Sequence, residues 1–308
     1  MLIVTGASGF IGLHLTQALR QKDRPFTLSS RSPLALHGPG GFIAADRLVE
    51  SAGRVDCVIH LAGRAHVLHE TSRGPAARFA SATPHIPRAA ARSPAGRATR
   101  RFVFLSSIGV LGNETTPGHP FTLESQPAPH NAYALSKLEA EEGLKAIAAE
   151  TGMEVTIIRP PLVYGAGARG NFASMVNWLR KGVPLPLGAV HNRRSLVGID
   201  NLVDLILTTI DHPDAANRTF LVSDGQDLST TDLLRRPAAA LGRPARLRPV
   251  PATLLAGTAR LLGKATLAQR LLSSLELDIA FTRKTLGWRP PVPVDIGLAR
   301  AVGTGMAA

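Results

Sequence analysis

Thr5-Gly6-Ala7-Ser8-Gly9-Phe10-Ile11-Gly12 is the stretch that decides the fold. It follows a short apolar run, Leu2-Ile3-Val4, and opens a segment from Phe10 to Arg20 with the apolar spacing of a helix. Glycine at 6, 9 and 12 lets the chain turn tightly, lets backbone N–H groups approach a pyrophosphate, and lets the helix pack closely on the sheet. A glycine triplet alone is often only a turn. Between a strand and a helix it points to a dinucleotide held at the helix N-terminus. Gly6, Ser8, Gly9, Phe10, Ile11 and Gly12 are therefore candidate cofactor contacts.

Outward from this loop, apolar runs alternate with helical stretches, the pattern of β-α-β units around a parallel sheet. Strands are predicted at Leu2-Ile3-Val4, Pro25 to Ser29, Gly41 to Ala44, Cys57 to Leu61, Arg101 to Leu105 and Val155 to Ile158. The clearest helix runs from Ala132 to Glu150, with Leu135, Leu138, Leu144 and Ile147 on the apolar side, Glu139, Glu141, Glu142 and Lys145 outward, and Gly152 beyond its end. The expected class is α/β: a Rossmann-like, doubly wound parallel sheet in residues 1–164 and a smaller C-terminal substrate-binding region in 165–308. Part of the second half, about 190–225, is expected to return to the sheet, since Arg218 to Val222 reads as a strand.

Composition narrows the class. The chain has 308 residues, 44% hydrophobic and 19% charged, which excludes disorder throughout. Cys57 is the sole cysteine, so no internal disulfide can form, and a reducing cytoplasm is expected. The apolar stretch from Pro251 to Leu275 is broken by Arg260, Lys264 and Arg270, so no membrane insertion is expected, and no signal peptide is expected either. The net charge of +13 raises nucleic acid as a partner, but Arg64 to Arg101 alone holds eight arginines against one acid. No basic helical run with interleaved aromatics appears elsewhere, so nucleic acid is not expected. No metal is called for.

In a site that prefers NAD, an acid usually ends the second strand and binds the ribose 2′-hydroxyl, whereas an arginine suits a 2′-phosphate. Here that strand ends Ser29-Ser30-Arg31-Ser32, which favours NADP over NAD; Arg31 as a solvated loop residue is the plainer alternative. Asp46 reads either as an adenine contact or as a helix cap. Tyr133 and Lys137 stand four apart on the clearest helix and so share a face. An ammonium there can lower the phenol's pKa and hold a cofactor ribose while the phenol gives or takes a proton. Ser106 and Ser107 end the preceding strand, at the edge where parallel sheets bind ligands.

These motifs, together with His60-Leu61-Ala62-Gly63 at a strand end, resemble the extended short-chain dehydrogenases/reductases of the NAD-dependent epimerase/dehydratase family. The resemblance implies Ser107, Tyr133 and Lys137 as catalytic residues, with Ser106 the structural neighbour of Ser107. It adds Leu61, Ala62, Gly63 and Pro160 to the cofactor contacts and Asn171 and Arg194 to the substrate contacts, Arg194 clamping a substrate diphosphate. Leu286-Gly287-Trp288 resembles the family's closing element, which packs and does no chemistry. Within the family, Pro184 to Gly188 and His191 to Val197 are most similar to reductases of UDP-4-keto-6-deoxy-N-acetylhexosamines in surface polysaccharide synthesis. A UDP-sugar 4-epimerase uses the same constellation, and a non-catalytic dinucleotide sensor is the alternative of another class. A homodimer packed through the Tyr133 helix is implied by the resemblance.

One stretch departs from the pattern. Thr71 to Arg100 should supply a long helix, yet it holds Pro75, Pro84, Pro87 and Pro94 and no acid. An interior proline costs a helix about 3 kcal/mol. The segment reads either as a basic surface loop or as GC-rich codons translated in a shifted frame. The family's supporting asparagine has no counterpart there.

Overall fold

The computed structural model describes residues 1–30, 42–44, 55–62, 99–168 and 170–303, without the side chains of residues 30, 42–44 and 171. Seven parallel strands form its main sheet: β1 (Leu2–Thr5), β2 (Phe26–Ser30), β3 (Phe42–Ala44), β4 (Cys57–His60), β5 (Arg101–Leu105), β6 (Glu154–Arg159) and β9 (Arg218–Leu221). Their spatial order, β3-β2-β1-β4-β5-β6-β9, reverses at β1. The expected doubly wound α/β class is therefore the observed one, and the predicted strands agree to within a residue at their ends. The last strand joins the sheet beside β6, with Thr156 opposite Arg218 and Arg159 opposite Leu221. β1, β4 and β5 are buried throughout, as continuous apolar runs covered on both faces must be.

Helix α1 (Phe10–Gln21) follows β1, and α2 (Ala132–Thr151) connects β5 to β6. Asn131 starts α2 by accepting the Ala134 N–H at 2.8 Å, and Gly152, in the left-handed region at φ 72°, ends it. Leu144 and Ile147 seat α2 on Phe102, Phe104 and Val155 in one apolar layer. Each such buried side chain stabilises the fold by roughly 1.5–3 kcal/mol.

The C-terminal part is built on a short parallel pair, β7 (Leu162–Tyr164) and β8 (Leu196–Gly198), with α3 (Asn171–Lys181) between them and α4 (Ile199–Asp211) after. Helices α5 (Thr230–Ala240), α6 (Ala252–Leu261), α7 (Ala265–Leu272), α8 (Ala280–Leu286) and α9 (Val294–Ala301) follow. Tyr164, Phe172, Leu196, Leu234 and Leu298 centre a second apolar cluster. Trp288 is buried and donates to Asp204 Oδ2 at 2.8 Å, the packing role its motif implies. Two arginines of the basic run are structural. Arg101, fully buried, donates to the Thr209, Ile210 and His212 carbonyls and so caps α4, while Arg100 pairs with Glu154. Among the described residues no helix is long and apolar enough to cross a membrane.

Candidate active site

The loop after β1 is shaped by what its glycines exclude. Gly6 turns at φ 71°, and a Cβ on it would stand 2.7 Å from the Ala62 nitrogen. A Cβ on Gly12 would stand 2.3 Å from the Gly6 carbonyl oxygen. The loop, the first turn of α1 and the end of β4 are thus packed backbone on backbone. Among the described residues no side chain caps α1, and no acid lies in its first turn, which opens beside exposed Ser8 and Gly9 and half-buried Phe10 and Ile11. This cradle fits the pyrophosphate of a dinucleotide. Leu61 and Ala62 border it, and Leu61 N donates to Thr5 O at 3.3 Å. His60 shares a hydrogen bond of 2.9 Å with Thr5 Oγ1 and lies along the Phe102 and Phe104 rings. Burial, helped by nearby Lys137, pushes its pKa down to about 3, so the imidazole is neutral.

Tyr133 and Lys137 occupy one stripe of α2, which turns them toward the end of β5. Lys137 is buried, donates to the Leu105 carbonyl at 2.8 Å, and lies 4.5 Å from the Phe104 ring centre and 5.8 Å from that of Tyr133. Burial lowers its pKa to about 8, against the opposing pull of Glu141. Burial pushes the Tyr133 phenol up to about 12. Burial sets this direction, and the lowering expected from the ammonium is not seen; Lys137 donates to the Leu105 carbonyl instead. The phenol is protonated at neutral pH.

The two serines are separated by their partners. Ser106, buried, donates to Glu141, whereas half-exposed Ser107 among the described residues only accepts, from Gly109 N at 3.1 Å. A Cβ on Gly109 would lie 3.4 Å from Ser107 Oγ and 3.5 Å from Ala134 Cβ, so Ser107 and the start of α2 flank one residue. Pro160 is buried, its carbonyl accepting from Ile108 N at 2.9 Å. The structure therefore brings together Gly6 to Gly12 with Leu61 and Ala62, and Ser107 with Tyr133 and Lys137.

Arg194 stands two residues before β8. Its Nη1 donates to Ser273 O at 3.0 Å, burial lowers its pKa, and no carboxylate pairs with it among the described residues. Adjacent Arg193 is paired with Asp227 at 3.2 Å and Glu276 at 3.0 Å. Asn171 is the first residue of α3. Arg31, Asp46 and Gly63, the Asn171 side chain, and residues 71–98 of the proline-rich stretch lie outside the described residues.

Residues 2–223 match the model of the NAD-dependent epimerase/dehydratase family. The chain belongs to this family. It is 40% identical over 304 residues to a Vibrio cholerae protein named UDP-glucose 4-epimerase, covering 96% of this chain and 92% of that one. It is 28% identical over 246 residues to a Pseudomonas aeruginosa GDP-6-deoxy-D-mannose reductase, covering 76% and 77%. The crystal structure of UDP-N-acetylglucosamine 4-epimerase from Bacillus cereus superposes with a TM-score of 0.78 over 99% of both chains, at 17% identity, a likeness of fold. As a member of the family the chain is an NAD(P)-dependent enzyme.

One feature of the family member's site was not legible from composition. Glu141, expected on the outer face of α2, is fully buried; Leu135, expected inside, is 43% exposed. Glu141 accepts from Ser106, from Arg159 Nε at 3.0 Å and from Arg159 Nη2 at 2.5 Å. The triad ties α2 to the ends of β5 and β6, directly behind Ser107 and Pro160. The signal was helical geometry: Tyr133, Lys137 and Glu141 stand four apart in succession, so a sheet-facing Lys137 carries Glu141 with it.

Proposed function

We propose that this chain is an NAD(P)-dependent nucleotide-sugar oxidoreductase acting at C4, in its net direction a reductase of a UDP-4-keto-6-deoxy-N-acetylhexosamine for surface polysaccharide synthesis. The observation that carries this reading is the convergence of Ser107, Tyr133 and Lys137 at a strand end beside a glycine cradle. When bound, the nicotinamide supplies hydride to the sugar carbon. Tyr133, protonated at neutral pH, donates its proton to the carbonyl oxygen as that oxygen gains charge. Ser107, whose hydroxyl hydrogen is uncommitted among the described residues, donates to the same oxygen and polarises it. Lys137 stabilises the phenolate that Tyr133 leaves behind.

In this reading Gly6, Ser8, Gly9, Phe10, Ile11, Gly12, Leu61, Ala62, Gly63 and Pro160 hold the cofactor, with Arg31 on a 2′-phosphate and Asp46 at the adenine. NADP is accordingly the proposed cofactor. Arg194, with its cationic fork unpaired by any described carboxylate, takes the diphosphate, and Asn171 the sugar nucleotide. Residues 1–164, with those about 190–225, form the cofactor-binding part, and 165–308 mainly the substrate part. Exposed Leu135 on α2 suits a homodimer through that helix, which a solution mass would test.

A second reading, a UDP-sugar 4-epimerase, is favoured by the 40% identity to the Vibrio cholerae relative. There Tyr133 must first lose its own proton, which its raised pKa opposes, before it accepts the C4 hydroxyl proton and later returns it. One assay separates the two. Purified protein is titrated with NADH and NADPH and given the 4-keto sugar, or with NAD+ and NADP+ and given UDP-glucose, while nicotinamide fluorescence is followed. Stoichiometric oxidation of added cofactor supports the reductase. Interconversion of UDP-sugars with no net cofactor change supports the epimerase. Cofactor binding without turnover of either sugar rejects both.

A further inference from the structure

Helices α6 and α7 form a surface hairpin, held at the end of α7 by Thr230 and Asn192, which both donate to the Leu271 carbonyl. Leu262, Gly263 (φ 67°) and Lys264 make its turn. Neither helix contains a buried residue, and Leu255, Leu271 and Leu272 are only partly buried against the second apolar cluster. Outside, Leu261 is 89% exposed, Leu262 72%, Leu254 58% and Leu267 47%. Single exposed leucines need no explanation; four on one hairpin do. Leu254 and Leu261 are seven apart and share a face of α6.

Along the sequence the charge around these leucines has one sign. From Leu233 to Leu275 the sequence has eight Lys and Arg residues and no Asp or Glu. Arg260, Lys264 and Arg270 are exposed on the hairpin, and Arg243, Arg246 and Arg248 are exposed on the segment leading to it. Glu114 is the acid that reaches α7, accepting from Gln269 at 3.0 Å.

We infer that the α6–α7 hairpin is a peripheral docking element for an anionic phospholipid surface. Exposed leucines in an otherwise basic, exposed segment match both parts of such a surface: the bases meet the headgroups and the leucines enter the boundary below them. A second copy of the chain fits worse, because joining two such faces would set like charges together. The element lies on the membrane, since none of the described helices is fit to span it. It also orients the molecule. The Ser273 carbonyl that binds Arg194 closes α7, and Arg270 is near enough to His130, next to the Asn131 cap of the Tyr133 helix, to depress its pKa together with burial. Docking therefore holds the substrate side of the protein close to the bilayer. The docking itself does not depend on the reaction proposed above; the orientation of the substrate side rests on that reading.

The test is cosedimentation of the purified full-length protein with phosphatidylcholine vesicles, with and without phosphatidylglycerol. Binding is expected to the anionic vesicles alone, to fall as salt rises, and to be lost in Leu261→Asp/Leu262→Asp with an unchanged thermal midpoint. Arg260→Gln/Lys264→Gln should lower the partition coefficient at low salt about fivefold per charge removed. Equal partition onto neutral and anionic vesicles would overturn the inference, as would anionic binding that survives both leucine substitutions. So would a lipid-free oligomer that Leu261→Asp/Leu262→Asp dissociates in sedimentation velocity, which would assign the leucines to a second copy.

Discussion

Replacing Glu141 by Gln probes the buried triad behind the candidate active site. The substitution keeps the shape of the side chain and one acceptor, but leaves the Arg159 guanidinium, 5% exposed, without its counter-charge. Removing one partner of a buried pair costs about 3–5 kcal/mol, and the retained acceptor places this case near ~3 kcal/mol. Unfolding entropy scales at about 2.1 cal/mol/K per residue, so for 308 residues the thermal midpoint should fall by about 5 °C. Circular dichroism of the cofactor-free protein at neutral pH measures it. The charge of Glu141 also opposes the lowering of the Lys137 pKa, so the basic limb of the pH–rate profile should move to lower pH in the same variant. Adding Arg159→Met removes the stranded charge, and the double variant should be more stable than Glu141→Gln alone. A midpoint unchanged by Glu141→Gln, or a double variant whose losses simply add, would refute the reasoning.

Tyr133→Phe should abolish turnover while nicotinamide fluorescence still reports cofactor binding; turnover above a few per cent of the parent's would reject Tyr133 as the proton donor. Gly12→Ala forces a Cβ to within 2.3 Å of the Gly6 carbonyl oxygen, so cofactor affinity measured by fluorescence titration should collapse. Arg194→Gln should raise the KM for the nucleotide sugar about tenfold or more with a much smaller change in kcat, the size of a lost charged hydrogen bond; the reverse split would remove Arg194 from the diphosphate. Lys137 has a folded pKa of about 8 against an ordinary 10.5, so its destabilising effect is fully present below about pH 8 and fades as pH rises through 10.5. Denaturant unfolding should then show Lys137→Met more stable than the parent near neutral pH, with the gap closing toward pH 10.5. Resequencing of the gene across Thr71 to Arg100 should reveal a compensating pair of insertion and deletion against close relatives, and an unbroken frame would leave a basic surface segment.

The strand-forming runs, the glycine loop and the Tyr133–Lys137 pair were all legible in the sequence, because each depends on spacing within a few residues. Leu2 to Gly12 reads as strand, turn and helix start without knowledge of anything distant, and Asn131 and Gly152 bracket α2 by their own backbone preferences. The return of the chain to the sheet at Arg218–Leu221 was also anticipated from a strand-like run, while its position beside β6 came only from the fold. Periodicity placed Leu144 and Ile147 inside and Glu139, Glu142 and Lys145 outside, but it failed at Leu135 and Glu141, because the inner face of α2 is built from Ala134, Ser136, Lys137, Ala140 and Glu141 as well.

What only the tertiary structure decided is which polar groups are buried and with whom. Glu141 finds Arg159 from the next strand, and that pairing lets a carboxylate occupy a position that hydropathy assigns to solvent. Ser106 and Ser107 are identical neighbours in the chain, separated only when one hydroxyl meets Glu141 and the other meets Gly109. Arg193 and Arg194 divide the same way, one taken by Asp227 and Glu276, the other left without a described carboxylate. Local geometry is written in adjacent residues, whereas desolvation and pairing depend on groups 18 to 83 positions away in the chain, which only the folded chain brings within reach.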